Sequence, residues 1–423
     1  MSPKYFIASV FWLAAFVAPA VAAGTETTWR VGIDKRIITP TEPMWMSGYG
    51  SRNRPADGKL SELWAKVMTI EDATGTRCVL VTLDLIGIDA DTTSMIRETV
   101  TQKTGIPRSQ LAISTTHTHS GPVVGNNLRA MYQLDHTAWR QVDRYTQFLA
   151  QTIVELIHNS IQRLSPAEIQ WTVGRSSFAV NRRNNREPEV PKLAADQRLN
   201  GPVDHDVPIL VILEPQSERD DHSAESNVTK PVALAKERIR AIVCGYACHA
   251  TVLSGYQWCA DWPGYAQTAI ENRFPHATAM VWVGCGADQN PIPRRSVELA
   301  QQYGQQLDQA VALAIDQPMV SIEGKLRADL KTVPLKFASV PKGEDLKKTL
   351  KSSNRFEVSR ARHLLEQIEK NGSLSSQYPY PIQSWKLGNG PLWFFLGGEV
   401  VIDYALRLKQ ELGAGSTWVT AYA

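Results

Sequence analysis

Two histidines one residue apart, His117 and His119, lie where an apolar run gives way to small and turn-forming residues. They belong to the segment ISTTHTHSGP, and the chain of 423 residues has only nine histidines. If the run before them is a strand, residues two apart point to the same side of it. Both imidazoles could then face one cleft, where one ligates a metal and the other ligates or handles a proton. Histidines that bond to backbone carbonyls in ordinary packing would give the same pattern, so the pair alone leaves both interpretations open.

Polar residues also follow three later apolar runs. His249 lies near the end of the run AIVCGYACHA, and Asp288 follows the run and glycine-rich turn VWVGCGA. Glu399 comes directly after two glycines, at the start of a helical pattern. Two histidines and one carboxylate form a common catalytic zinc set with an open position for water. The alternatives are a turn role for Asp288 and helix capping by Glu399, which the helix dipole favours.

Other catalytic patterns fit this sequence less well. It contains no HExxH helix, no Gly-x-Ser-x-Gly elbow and no P-loop. A metallo-β-lactamase pattern requires an aspartate two residues beyond the second histidine of the pair, and that position is Gly121. The His, His and carboxylate set is therefore the better interpretation of these residues.

Short apolar runs that alternate with helical patterns must position the candidate residues. Most of the runs are rich in β-branched residues and are followed by Gly, Asp, His or Ser, which favours buried strands over helices. They begin at Cys78, Leu111, Val207, Ile239, Ala279 and Leu392. Helical periodicity follows Thr137, Val297 and Val401. This alternation predicts an α/β architecture, in which sites collect at the carboxyl ends of strands.

The charge balance and the N-terminus bear on partners and location. Lys+Arg 45 against Asp+Glu 42 gives a formal net charge of +3, and without a basic run that carries interleaved aromatics we expect no nucleic-acid partner. Lys4 precedes an apolar stretch over 5–17, and small residues follow at 20–22. The pattern predicts a signal peptide over residues 1–23 and a secreted or periplasmic protein. A membrane anchor is the alternative, although the stretch is short for a bilayer span.

Four motifs taken together resemble the neutral/alkaline non-lysosomal ceramidases. THTHSGP, GYACHATVL, GCGADQNP and LGGEVVIDYALRLK come in the order of that family, and VGIDKRIITPTEPMWMSGYGSR resembles its N-terminal segment. The resemblance implies one catalytic domain over residues 24–423, built from mixed β-sheets flanked by helices. It is similar to a bacterial branch that consists of the N-terminal catalytic domain alone, without the C-terminal immunoglobulin-like domain. The end of the chain at STWVTAYA leaves a truncated domain as an alternative.

The resemblance implies one zinc ion, Zn2+, with His117, His249 and Glu399 as its ligands. The family has a further tyrosine ligand after the glutamate helix, and here Tyr422 is either that residue or the neighbour of a missing one. Where the family has Gly-Asp-Val-Ser-Pro-Asn, this chain has GADQNP, which contains no serine. The difference favours metal catalysis over an acyl-enzyme.

The resemblance also implies roles for residues around the zinc. His119 would face the substrate amide and stabilise or protonate the tetrahedral intermediate, and Asn181 and Arg182 match an Asn-Arg pair that lines the family's pocket. Asp288, from its position after a strand, is the second candidate catalytic residue. The implied function is a secreted zinc-dependent amidase that hydrolyses the N-acyl bond of ceramide-like lipids to a sphingoid base and a fatty acid, through zinc-activated water. Its partners would be a lipid substrate and, peripherally, membranes or lipid aggregates.

Two other functions stay open at this point. A zinc hydrolase with the same site could act on another N-acyl or ester substrate, because substrate choice depends on pocket shape and entrance loops. A non-catalytic exported binding scaffold of the same fold would result if a required ligand were missing.

Overall fold

A computed structural model describes residues 29–216 and 236–423 of the chain. The strands are β1 Trp29–Ile37, β2 Gly58–Lys59, β3 Trp64–Asp72, β4 Arg77–Leu83, β5 Leu111–Thr115, β6 Ser165–Arg175, β7 Ala179–Asn181, β8 Asp206–Leu213, β9 Ile239–Tyr246, β10 Gln257–Trp258, β11 Thr278–Val283, β12 Gln289–Pro291, β13 Val320–Ser321, β14 Leu326–Lys336, β15 Gln377–Leu387, β16 Leu392–Leu396 and β17 Thr417–Thr420. The α-helices are α1 Ala90–Thr104, α2 His136–Gln162, α3 Val190–Ala195, α4 Asp261–Arg273, α5 Val297–Ile315, α6 Gly343–Thr349, α7 Arg355–Asn371 and α8 Ile402–Leu412. The predicted signal peptide, residues 1–23, lies outside the described residues, and the boundary at residue 24 stays a prediction.

Two mixed sheets form the framework. The larger has nine strands in the order β11-β9-β8-β6-β1-β3-β4-β5, with β13 paired to β6. Its β4–β5 and β9–β11 pairs are parallel, and its other pairs are antiparallel. The smaller sheet has the order β14-β15-β16-β17 and contains one parallel pair, β16–β17. The predicted α/β fold with mixed sheets flanked by helices is confirmed.

The molecule has three layers: the helices, the larger sheet and the smaller sheet. Side chains of the larger sheet alternate between the cores on its two faces. Val67 and Ile242 face one side, where they join cores that include buried residues of α2, α4 and α5. Met68 and Val243 face the other side and join a core with tryptophans of the smaller sheet. Because residues two apart share a face of a strand, helices cover one face of the large sheet and the small sheet covers the other.

The C-terminal segment connects the two sheets. The backbone N–H of Thr115, at the end of β5, donates to the carbonyl of Tyr422 at 3.1 Å. The N–H of Ala421 donates to the carbonyl of Val283, at the end of β11, at 3.0 Å. The chain terminus therefore lies across the carboxyl ends of the parallel strands, where the sequence predicts a site. Among the described residues, no helix combines the length and apolar character that a bilayer span requires.

Candidate metal centre

His117 follows β5 in a strained backbone conformation that turns its ring inward. Its φ of 56° is in the left-handed region, which costs a non-glycine residue about 1–3 kcal/mol. The side chain is buried, and its Nδ1 lies 2.6 Å from the carbonyl oxygen of Ile86. An Nδ1–H that donates to this carbonyl leaves the lone pair on Nε2, which is the form that binds a metal.

His249 is held in the same way after β9. Its Nδ1 lies 2.7 Å from the carbonyl oxygen of Gly286, and its own carbonyl accepts from the indole N–H of Trp262 at 2.9 Å. A Cβ at Gly286 would come within 3.2 Å of the His249 backbone nitrogen, so glycine permits this close approach of the two loops. Burial lowers the pKa of His249, which keeps its imidazole neutral.

Glu399 faces both of these rings from the smaller sheet. One carboxylate oxygen lies 3.6 Å from Nε2 of His117 and the other 3.7 Å from Nε2 of His249. Ligands at about 2.0–2.2 Å from a tetrahedral zinc are about 3.3–3.6 Å apart, so these separations suit a shared ion better than direct hydrogen bonds. The interaction with His117 holds the pKa of the Glu399 carboxyl below its usual range.

His119 completes a group of three imidazoles. Its Nε2 lies 3.2 Å from Nε2 of His117, and the candidate ligand atoms of His117, His119 and His249 all lie within 4.8 Å of one another. The Nδ1 of His119 has no hydrogen-bond partner among the described residues. Burial, followed by repulsion from the other two histidines, lowers the pKa of His119 well below its usual value. A neutral His119 is able to ligate a metal or to accept a proton.

Tyr422 lies against the same group. Its ring stacks on His117 with a centroid distance of 4.1 Å and an interplanar angle of 23°. The buried hydroxyl has no hydrogen-bond partner in the described ranges 29–216 and 236–423. Leaving a buried hydroxyl unpaired costs about 1–3 kcal/mol. Two Nε2 lone pairs and a carboxylate are together a donor set that fits zinc, and the ring that carries the unpaired hydroxyl packs against both of these histidines.

The other three predicted site residues have different surroundings. Asp288 is buried, and one of its carboxylate oxygens accepts from the backbone N–H of Ile402 at 3.0 Å, which caps the start of α8. Asn181 is also buried and accepts from the backbone N–H groups of Arg183 and Asn184, within its own loop. These contacts organise backbone, so a catalytic role for Asp288 and a substrate contact for Asn181 stay predictions.

Arg182 lies at the rim of the centre. Its side chain is exposed and donates through Nη2 to the carbonyl of Ala287 at 2.6 Å. Its positive charge lowers the pKa values of both His249 and Glu399, although it is a minor cause in each case. The structure thus brings Arg182 near His119, His249 and Glu399, and it directs Asp288 and Asn181 into backbone contacts.

A loop near the N-terminus supports His119, and the sequence reasoning did not assign it a role. Arg52 is buried and donates to the carbonyls of Ser47, His119 and Gly255. The ring of Tyr49 lies 4.9 Å from that of His119, and a Cβ at Gly48 would approach His119 Cγ to 2.6 Å. In the sequence, the segment MSGYGSR indicates only a family resemblance. The contact between Arg52 and the carbonyl of His119, 67 residues away, leaves no local signal.

An apolar cavity of about 240 Å³ opens beside the centre. Its lining includes Ile86, Ile88, Ile113 and Leu128 together with His117, Glu399 and Tyr422. Another cavity, of about 270 Å³, lies between the 39–44 loop and α2 and contains none of the candidate residues. The cavity beside the histidines is therefore the one that places an apolar ligand next to the candidate chemistry.

The fold is similar to that of two solved ceramidase structures. Over 94% of this chain, the structure matches a solved structure described as a ceramidase complexed with C2, with a TM-score of 0.67, 17% sequence identity and coverage of 68% of that chain. It also matches the neutral ceramidase from Pseudomonas aeruginosa, with a TM-score of 0.66, 17% identity, 94% coverage of this chain and 67% of that one.

One family model matches part of the sequence. Residues 29–210 match the family model described as neutral/alkaline non-lysosomal ceramidase, N-terminal. None of the curated proteins compared with the chain matches its sequence. The resemblance to this family is confirmed over residues 29–210, and the similarity of fold extends over 94% of the chain.

Proposed function

We propose that the chain is a secreted zinc-dependent amidase that hydrolyses the N-acyl bond of ceramide-like lipids to a sphingoid base and a fatty acid. One observation carries this proposal. The Nε2 atoms of His117 and His249 and the carboxylate of Glu399 converge beside an apolar cavity. Such a combination suits hydrolysis of a polar bond at the end of an acyl chain.

Five side chains would hold the metal or compete to do so. We assign His117, His249 and Glu399 as ligands, with the Tyr422 hydroxyl as a fourth. His119 is close enough to His117 to replace one of them, but its Nδ1 lacks the carbonyl that fixes the other two rings. When bound, zinc would polarise the amide carbonyl and lower the pKa of water to about 7.

His119 would carry the proton in this mechanism. Its ring is neutral, because burial lowers its pKa, and one nitrogen therefore has a free lone pair. That nitrogen would take a proton from attacking water and return it to the nitrogen that leaves as an amine. Arg52 holds the backbone carbonyl of His119, and Tyr49 and Gly48 pack against its ring. A fixed orientation matters because misplacement of a catalytic group by about 1 Å can cost about 10²-fold in rate.

The remaining groups would bind the substrate. The isoleucines and the leucine of the cavity would bury the acyl chain and exclude water. Arg182 at the rim would donate to hydroxyl or carbonyl oxygens of the polar part of the lipid. These contacts would place the amide between His119 and the ligand set.

Competition among matched substrates tests the proposal. We expect zinc-loaded protein to hydrolyse a short-chain ceramide faster than an N-acyl amino acid or an ester that carries the same acyl group. Liberated sphingoid base and fatty acid would be measured by mass spectrometry, with His249→Ala as the inactive control. Preference for the N-acyl amino acid or the ester would assign the chain to another class of hydrolase. Absence of turnover on all three substrates would contradict an enzymatic role.

A further inference from the structure

The hairpin of β14 and β15 extends beyond the small sheet. The two strands pair from Leu326 and Leu387 out to Lys336 and Gln377. Their neighbour β16 pairs only with residues 382–386 of β15. The outer part, residues 332–337 and 377–381, is therefore two-stranded, because no third strand among the described residues pairs with it. We call this part the ribbon.

One face of the ribbon is apolar and exposed. Val333, Leu335 and Phe337 alternate along β14 and its continuation, with exposed fractions of 38%, 46% and 51%. Tyr378, which is 48% exposed, lies directly opposite Leu335, and Tyr380 lies opposite Val333. Paired residues of antiparallel strands share a face, so these five side chains form one contiguous surface. Exposed apolar patches of this kind mark sites of interaction with lipid or protein.

This surface lies next to the candidate metal centre. The hydroxyl of Tyr380 donates to the carbonyl of Gly397 at 2.8 Å. The next two residues, Gly398 and Glu399, line the cavity beside the histidines. A ligand that covers the apolar face of the ribbon would therefore meet the mouth of the cavity.

The helical insertion between β14 and β15 reaches the other side of the centre. Arg355, at the start of α7, donates through Nη2 to the carbonyl of Gly50 at 2.6 Å, and the ring of Phe356 packs beside the same glycine. Gly50 belongs to the loop that supports His119. The ribbon and the insertion thus border the approach to the site from two sides.

The hairpin and its insertion also carry a surplus of positive charge. Residues 326–387 contain twelve Lys or Arg and six Asp or Glu, a surplus of six positive charges, whereas the whole chain has a net charge of only +3. The rest of the sequence is therefore net negative by three. An exposed apolar face within a basic element is the combination that binds anionic lipid surfaces, where each Lys or Arg near the surface contributes about 1 kcal/mol.

We propose that the ribbon and the helical insertion dock the protein on bilayers that contain anionic phospholipid. Leu335, Phe337 and Tyr378 enter the interface, the basic insertion lies against the headgroups, and the cavity mouth faces the lipid. The choice of a lipid surface rests on the proposed function, because a ceramide-like substrate resides in membranes. It also rests on the charge surplus, which a purely apolar protein partner would not require.

Flotation of the full chain with vesicles tests this docking without any turnover. We expect binding to vesicles of phosphatidylcholine with phosphatidylglycerol, and weak binding to phosphatidylcholine alone. The double variant Leu335→Ser, Phe337→Ser should bind the anionic vesicles about tenfold less tightly. Leu313→Ser is the matched control, because Leu313 is 71% exposed on α5 and lies outside the ribbon; it should bind as the unmodified chain does.

Charge is tested separately in the insertion. The triple variant Lys347→Gln, Lys348→Gln, Lys351→Gln should weaken binding to anionic vesicles at least about tenfold and reduce its dependence on salt. Circular dichroism and thermal unfolding of each variant establish that the fold is retained. Equal binding by the unmodified chain and both multiple variants would overturn the proposal, as would equal losses in the Leu313→Ser control.

The remaining outcomes separate docking from chemistry. A dimer that dissociates in the Leu335→Ser, Phe337→Ser variant, without any vesicle binding, would assign the ribbon to a second copy of the chain and overturn lipid docking. Vesicle binding by a chain that hydrolyses no ceramide would support docking and contradict the proposed amidase. Ceramide hydrolysis without vesicle binding would support the proposed amidase and contradict docking.

Discussion

His117 and His119 are one residue apart, yet their surroundings differ. The Nδ1 of His117 is engaged by the carbonyl of Ile86, whereas the Nδ1 of His119 has no partner among the described residues. This difference fixes the orientation of the first ring, as the proposed ligand role requires, and leaves Nδ1 of the second ring without a partner, as its proposed contact with substrate or a proton requires. The local pattern placed both histidines at a strand end, and only the family resemblance implied different roles for them. The physical difference is not visible in the local pattern, because the carbonyl that contacts His117 comes from a loop 31 residues away.

Gly48 tests the importance of the His119 position. Its φ is +100°, and a Cβ there would lie 2.6 Å from His119 Cγ, so Gly48→Ala must displace the ring. We expect turnover of a short-chain ceramide to fall about 10–100-fold. Gly75→Ala is the matched control, since Gly75 has a φ of +79° but no atom near its would-be Cβ. Equal turnover by the two variants would contradict the assigned role of His119.

Asp261 supports the loop after His249, and its titration should be visible in stability. Burial raises its pKa to about 6, above the value of about 3.9 in an unfolded chain. Between these pH values the folded state binds more protons, so the contribution of Asp261 to stability is largest at low pH and is lost as pH rises through about 6. From pH 7.5 to pH 4.5, the unmodified chain should gain about 2 kcal/mol relative to Asp261→Asn in urea unfolding. A stability difference that does not change with pH would refute the raised pKa.

At the scale of elements, short continuous apolar runs were predictable. The strands β5 and β8 and the helix α5 lie where the patterns of LAIST, VPILVIL and Val297–Ile315 indicate, because burial on both faces or on one helical face leaves a local signal. The hairpin of β14 and β15 was not predicted. The outer halves of its two strands carry exposed charged, proline and apolar residues. The two strands also pair across a helical insertion, and the local sequence of neither strand indicates its partner.

Asp288 connects two elements, because it follows β11 and accepts a hydrogen bond from the start of α8. If it serves only as the cap of α8, Asp288→Asn should keep both stability and turnover, since Asn caps helices as well as Asp. Asp288→Ala should lower the free energy of unfolding by about 1–2 kcal/mol. Urea unfolding and ceramide turnover of both variants would be compared. A large loss of turnover in Asp288→Asn, with stability unchanged, would instead support the catalytic role that the sequence suggested.

At the scale of the whole molecule, the centre joins the two sheets. His117 and His249 follow strands of the large sheet, whereas Glu399 and Tyr422 follow strands of the small one. The two layers also share a core that contains Trp385, Trp393 and Trp418. The motifs occur in the order of the ceramidase family, and that resemblance predicted that these residues form one site. The packing of the layers explains why distant parts of the chain meet there.

A bound metal should therefore stabilise the entire fold. Zinc at about 100 times its dissociation constant adds about 2.7 kcal/mol to the folded state, so we expect a clear rise in Tm when zinc is added to metal-free protein. His249→Ala removes a ligand and should abolish the rise. Calorimetry measures both, and an equal rise in the variant would show that zinc binds elsewhere.

The zinc content and ceramide turnover of the same preparations test the central claim most directly. We expect one zinc per unmodified chain together with hydrolysis, and loss of both in His249→Ala. His119→Ala should keep its zinc and lose about 10²–10⁴-fold in turnover. Zinc-free protein that hydrolyses ceramide at the full rate, or His119→Ala that loses the metal while Glu399→Gln keeps it, would contradict the account.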